Sequence, residues 1–251
     1  MLLTTEKIVG HEQVFLQETD STNHQLQMLL KSGPVKEGFT VSTAYQNGGR
    51  GQMGKQWHSL PGQNILMSFV LYPTFIRAEE QFYLSMAMSL GVYDFLAELI
   101  EGVSIKWPND IMVNGQKICG MLIQNTLSGD SIASSVIGIG INVNQSQFEP
   151  ELSHATSLKI LTAKEYNLTA CQLRLTDSID ERYKQLRARK FEALKADYLK
   201  HLFGMKEPHS FLIETQCVKG IIKGIDEYGC LLVEIEGNVL KFKNGEIGYI
   251  Y

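Results

Sequence analysis

The amino-acid sequence predicts an α+β fold followed by a small all-β unit. Two observations carry that reading. Up to about residue 200, strand-like apolar runs alternate with stretches of helical spacing. From Phe211 onward the helical spacing is lost, and five short β-rich runs remain, separated by tight turns. Short strands in close succession read as a small barrel. The change falls at residues 205–210, which divides the chain into 1–206 and 207–251.

Taken in order, residues 14–17 read as a short strand. The polar cluster Thr19, Asp20, Ser21 and Thr22 opens an amphipathic helix, since side-chain oxygens there can accept from free backbone N–H groups, and Gly33-Pro34 stops it. Residues 39–46 alternate like a strand, and 64–72 form an apolar run of strand length ended by Pro73. Residues 79–100 are apolar at helical spacing up to Gly102, which predicts a buried helix. A strand at 105–107 is cut off by Pro108. Residues 111–113 and 117–124 flank Asn114-Gly115, a strong hairpin signal. Residues 134–143 read as a central strand, and 169–202 as helix. The terminal runs are 211–216, 218–226, 230–236, 239–243 and 247–251.

Composition narrows the function classes. Over 251 residues, 44% are apolar and 20% charged, enough to bury a core without metal or disulfide support. The net charge is −4 and the pI about 5.9, so no global basic field draws the chain to nucleic acid. Cys119, Cys171, Cys217 and Cys230 lie far apart with no CxxC pair, which reads as free thiols in a reducing, cytoplasmic setting. The first ten residues have too short an apolar run for a signal peptide, and no stretch has transmembrane length.

Four stretches could carry chemistry. The first, Gly48-Gly49-Arg50-Gly51-Gln52-Met53-Gly54-Lys55, combines glycines that let backbone approach a ligand with cations that favour an anion. It is neither a Walker A loop nor a dinucleotide fingerprint, and a flexible hairpin explains it equally well. The second, Lys106-Trp107-Pro108-Asn109-Asp110, crowds polar groups at a strand end, as a capped turn also would. The third is Lys117 at the mouth of an apolar strand, with Gly120 beyond it. The fourth is Gly138-Ile139-Gly140-Ile141-Asn142-Val143-Asn144, where glycines in a buried strand mark close approach by a ligand or by neighbouring backbone.

Order and spacing together are more specific than any single stretch. Asp20-Ser21-Thr22-Asn23, Gly49-Arg50-Gly51 with Trp57, KWPND at 106–110, Lys117 with Gly120, and GIGINVN at 138–144 resemble the biotin protein ligase family. The resemblance runs from about residue 14 to 144. It implies a mixed β-sheet with flanking helices, similar to class II aminoacyl-tRNA synthetases, followed by a small SH3-like barrel. It also implies an enzyme that adenylates biotin with ATP and Mg²⁺ and transfers it to a lysine of a biotin carboxyl carrier protein. A lipoate- or octanoate-type ligase of the same fold is the nearest alternative, and a non-catalytic biotin-binding regulator a further one.

By that resemblance Ser21, Thr22, Asn23 and Gln46 meet the biotin ring system, and Gly120 and Gly138 leave room for it. Arg50, Gly51 and Gln52 fold over biotin and the adenylate phosphate, and Lys117 sits at the reacting carboxylate. Trp57, Lys106, Asn109 and Asn142 face the ATP or adenylate part, and Asp110 joins Lys117 and Arg50 as a catalytic residue by orienting a lysine or the metal. No metal ligands are assigned. Gln52 stands where the family often has a second arginine, and losing that charge weakens retention of the adenylate by about 1–3 kcal/mol. The first ligand motif arrives by Ser21, so a monofunctional form without an N-terminal DNA-binding domain is expected. A homodimer in which 134–143 pairs with its copy is weighed against core burial, which produces the same pattern.

Overall fold

The computed structural model describes residues 7–250, so most of the N-terminal stretch judged above to have too short an apolar run for a signal peptide, and the final residue of the last run, Tyr251, fall outside it. Strands β1 (Gln13–Thr19), β2 (Thr40–Gln46), β3 (Ile65–Leu71), β4 (Val103–Lys106), β5 (Asp110–Val113), β6 (Gln116–Ser128) and β7 (Ser131–Ile141) form one sheet. Its order is β1-β2-β3-β7-β6-β5-β4, with β1 and β2 parallel and the remaining pairs antiparallel. Helix α1 (Thr22–Ser32) covers one face, packing Leu26 on Val41, Val70 and Val136.

The other face is buried by α2 (Phe82–Ala97), with α4 (Leu168–Arg187) and α5 (Phe191–Lys200) against it. A helix apolar on nearly every side must be enclosed, which explains the position of α2 between the sheet and α4. Its Gly91 lets α4 come close: a Cβ there would lie 2.7 Å from Cα of Ile179.

Strand pleating decides what each face holds. Along β7, Ile137, Ile139 and Ile141 point into the main core, whereas Val136, Gly138 and Gly140 share the α1 face. Met67 and Phe69 of β3 likewise enter the core, and Ser68 turns the other way towards α1. In register, Gly138 lies between Ser68 and Leu122, and Gly140 between Leu66 and Gly120. The α1 face therefore has a shallow trough where its neighbours have side chains.

Several boundaries shift from the sequence reading. The helical stretch 169–202 is broken, with Arg189 in the left-handed region (φ 54°) between α4 and α5. Arg182 closes that corner, donating to Asp94 at 2.6 and 3.0 Å and to Asp197 at 2.7 Å. A short helix α3 (Leu158–Thr162), absent from the sequence reading, follows β7 and is capped by Ser157. Asn114 and Gly115 both have positive φ (49° and 80°), as the tight hairpin requires. Strand β7 is hydrogen-bonded on both sides, by β3 and β6, so 134–143 has no free edge to pair with a second copy. Core burial accounts for its pattern.

The C-terminal strands β8 (Pro208–Ile213), β9 (Gln216–Ile225), β10 (Leu231–Ile235), β11 (Asn238–Phe242) and β12 (Gly248–Ile250) form a second, antiparallel sheet. Its ladder runs β11-β10-β9-β8-β12. Phe211, Ile222, Leu231 and Val233 of this sheet share one apolar cluster with Ile105, Trp107, Tyr198 and Leu202. Trp107 is 4% exposed, and its indole N–H donates to the carbonyl of Gly229 at 2.9 Å.

Candidate active site

The trough opens into a cleft of about 690 Å³, bounded by the N-terminus of α1, the glycine-rich loop, the 106–110 turn and the C-terminal segment 244–249. Every residue given a site role in the sequence lines it: Ser21, Thr22, Asn23, Gln46, Arg50, Gly51, Gln52, Trp57, Lys106, Asn109, Asp110, Lys117, Gly120, Gly138 and Asn142.

At one end, hydroxyl and amide groups form a chain of hydrogen bonds. The Thr22 amide and hydroxyl donate to Gln46 Oε1 at 2.8 and 3.1 Å, and Thr22 Oγ1 lies 2.6 Å from Ser68 Oγ. Ser68 donates to Asn23 Oδ1 at 2.5 Å, and the Asn23 amide donates to Gln124 at 2.9 Å. A bonded network holds its members in one orientation. Ser68 and Gln124 were missed in the sequence, yet Ser68 carried a signal: a hydroxyl inside a wholly apolar strand must find a partner. Gly138 makes room for this network, since a Cβ there would lie 2.2 Å from Asn23 Oδ1.

The glycine-rich loop is a compact hairpin. Gly51 donates to the Lys55 carbonyl at 2.7 Å, and Arg50 bridges to Gln56. At its tip Met53 and Gly54 take positive φ (52° and 77°). The loop returns as Trp57, whose ring lies flat across the trough: Cβ atoms on Gly140 and Gly120 would come within 2.5 and 3.0 Å of it. Its indole N–H is buried with no hydrogen-bond partner among the described residues.

The cations converge beside this ring. Lys117 Nζ stands 5.8 Å from the Trp57 ring centre and 2.7 Å from Asp110 Oδ1. Its backbone is clamped from outside the sheet, donating to His154 O at 2.7 Å and accepting from Thr156 N at 2.9 Å. Lys106 is the strand partner of Asp110, and its ammonium lies 5.1 Å from the Tyr249 ring centre. Burial, reinforced by Lys117 and Lys55 and opposed by Asp110, holds the Lys106 amine below the usual lysine range. The unfolded chain then binds that proton more tightly, so stability rises with pH from the folded value towards the ordinary 10.5 and is level below it. Urea midpoints of the protein minus those of Lys106→Met are expected to increase with pH over that window; a flat difference would show the amine to be unperturbed.

Two asparagines behave differently. Asn109 is 6% exposed, and its amide donates to the carbonyl of Met121, so it fastens the turn to β6. The amide of Asn142 donates to Thr156 O at 3.0 Å, while its Oδ1 is buried without a partner among the described residues and is available as an acceptor. Tyr198, buried under the turn, donates to Pro108 O at 3.2 Å. Leu212, Glu214, Asn244, Glu246 and Tyr249 complete the wall from the second sheet, and Phe148, Leu152 and Ala155 from the loop after β7. Glu246 follows the Asn244-Gly245 turn, from which a glutamate can either reach the site or serve the turn; no local motif pointed to the others. Among the described residues no three His, Cys, Asp or Glu side chains are grouped to hold a metal ion.

This geometry has known counterparts. The family model for the Biotin/lipoate A/B protein ligase family matches residues 15–142, from β1 to the polar end of β7. The chain belongs to that family. A bifunctional ligase/repressor BirA of Bacillus subtilis is 30% identical over 98% of this chain and 76% of its own length. A biotin--[acetyl-CoA-carboxylase] ligase of Paracoccus denitrificans is 30% identical over 87% of this chain and 92% of its own. The solved biotin protein ligase from Aquifex aeolicus in complex with biotin and ATP superposes with a TM-score of 0.80 at 29% identity, over 96% of this chain and 99% of that one. The superposition extends through both sheets, so the C-terminal wall is part of a ligase architecture shared by the two proteins.

Proposed function

We propose that this chain is an ATP-dependent biotin–protein ligase that makes biotinyl-5′-AMP and passes the biotinyl group to a lysine of a carboxylase carrier protein. One observation carries the reading: Lys117, held by Asp110, faces the Arg50 loop across a cleft whose far end is a fixed hydroxyl–amide network. That end suits a ureido ring, which offers N–H donors and a carbonyl acceptor. The relatives named for biotin and the counterpart with biotin and ATP bound favour biotin over lipoate or octanoate.

In the first step a biotin carboxylate oxygen attacks the α-phosphorus of ATP. The bond to the bridging oxygen breaks, and pyrophosphate leaves with the electron pair. Lys117 and Arg50 oppose the negative charge that gathers there, and Asp110 keeps the Lys117 ammonium aimed. Mg²⁺ bound to the nucleotide would supply charge neutralisation for the leaving pyrophosphate, and no ligands for it are assigned among the described residues. Trp57 walls the adenylate, and the free Oδ1 of Asn142 is matched to an amino donor such as that of adenine. In the second step a neutral acceptor amine attacks the acyl carbon, AMP leaves, and the amine's extra proton passes to water. No covalent enzyme intermediate is formed.

The finer architecture belongs to the same proposal. Residues 207–251 are read as a small SH3-like domain, supported by five short antiparallel strands, and 1–206 as the catalytic domain. A cytoplasmic setting is supported by four unpaired cysteines. Incubation with ATP, Mg²⁺ and a panel of biotin, lipoate and octanoate, followed by mass spectrometry for bound acyl-adenylate, tests the function; an adduct with lipoate or octanoate but not biotin overturns it. Gly138→Ala pushes a methyl group into the Asn23 network, and the KM for biotin is expected to rise about 10-fold in pyrophosphate-release assays. An unchanged KM would place the ring system elsewhere.

A further inference from the structure

The glycine-rich loop is tied to the rest of the molecule at its tip by the C-terminal sheet. Among the described residues, the side chains of 51–56 make one hydrogen bond to a distant part of the chain: the Asn244 amide donates to Gln52 Oε1 at 2.5 Å, across 192 positions of sequence. A second contact lies beside it. Gly245 (φ +92°) supports the Met53 thioether so closely that a Cβ there would come within 2.7 Å of the sulfur and 2.5 Å of its methyl group. The turn bearing both residues is itself braced, because Glu246 accepts from the Lys243 amide at 2.7 Å and Asn244 bridges to Ile247.

We propose that Asn244 is a positioning residue of the ligase reaction, fastening the loop over the cleft so that the C-terminal sheet sets how long the activated intermediate is held. The proposal rests on the biotin-ligase reading above. The chemistry of position 52 fits it. A glutamine offers a carbonyl acceptor to the Asn244 N–H donors, whereas an arginine there would offer donors only. Retention lost with a charge next to the phosphate is thereby partly recovered by an amide contact on the loop's outer side. Because Gln52 and Asn244 both line the cleft, closing the contact also narrows the way out for a bound adenylate. Asn244 is exposed and lies in a turn, so its removal leaves the core intact.

The test compares the unaltered protein with Asn244→Ala, Gln52→Ala and the double variant. Amide hydrogen exchange of residues 50–56 is measured without ligand, and the dissociation rate of a non-hydrolysable biotinyl-adenylate analogue is measured separately. Asn244→Ala is expected to speed both exchange and dissociation about 5- to 10-fold at unchanged melting temperature, and to add nothing in the Gln52→Ala background. The KM for biotin should rise more than kcat falls. Exchange and dissociation at the unaltered rates, or an equal effect of Asn244→Ala with and without Gln52, overturns the proposal. If the unaltered protein does not bind the analogue while the exchange coupling holds, the ligase reading fails and the fastening stands.

Discussion

Lys117→Ala is expected to lower the rate of pyrophosphate release by about 100- to 1,000-fold, the usual cost of one charge-stabilising group in a closed site. Two effects add. The ammonium proposed to oppose the developing phosphate charge is lost, and the Asp110 carboxylate, 2.7 Å away in the intact protein, is left facing the reacting anion in that proposal. Asp110→Asn keeps the ammonium and loses only its aim, so about 10-fold is expected there. The fold should survive both changes, since the Lys117 side chain is 37% exposed and its strand is fixed through backbone bonds to His154 and Thr156. A Lys117→Ala enzyme that releases pyrophosphate within a few-fold of the normal rate would remove this residue from the mechanism.

The second large effect concerns stability. Trp107→Ala is expected to destabilise the protein by about 3–5 kcal/mol, the range for emptying a buried aromatic site. Trp107→Phe keeps most of the volume and leaves the Gly229 carbonyl without its indole donor, for which about 1–3 kcal/mol is expected. Urea denaturation separates the two. Activity should fall with stability in the alanine variant, because Trp107 sits between Lys106 and the Asn109-Asp110 pair. Equal midpoints for the two variants would mean that the indole bond, and not the packing, joins the turn to the second sheet.

Much of this was legible in the sequence, and for identifiable reasons. Hairpin, helix starts and apolar runs are set by local chemistry, so Asn114-Gly115 and the start of α1 declared themselves, although Ser21 makes no side-chain cap and the Thr22 amide donates to Gln46 instead. The residues given a site role lie in short segments whose spacing is rigid, and the chain brings them to one cleft. What was hidden depends on register. The glycines of β7 alternate with isoleucines, but which face they clear follows only from pairing with β3 and β6. Ser68 and Gln124 became visible once α1 was laid over that face. Asn244 and Tyr249 were out of reach because the approach of one sheet to another, and no local pattern, brings them to the wall. The break at Arg189 was hidden too, since helical spacing continues through it without glycine or proline.

Because Phe211, Ile222, Leu231 and Val233 complete the same apolar cluster as Ile105, Trp107 and Tyr198, the region after residue 207 is no detachable accessory. A stop codon there would strip the preceding sheet and helices of one of their interior walls, leaving oily surface in water and the 106–110 turn unsupported. Loss of the tail should therefore read out as insolubility or a lowered melting point before any change in substrate choice can be measured. Melting of the intact chain should show a single transition.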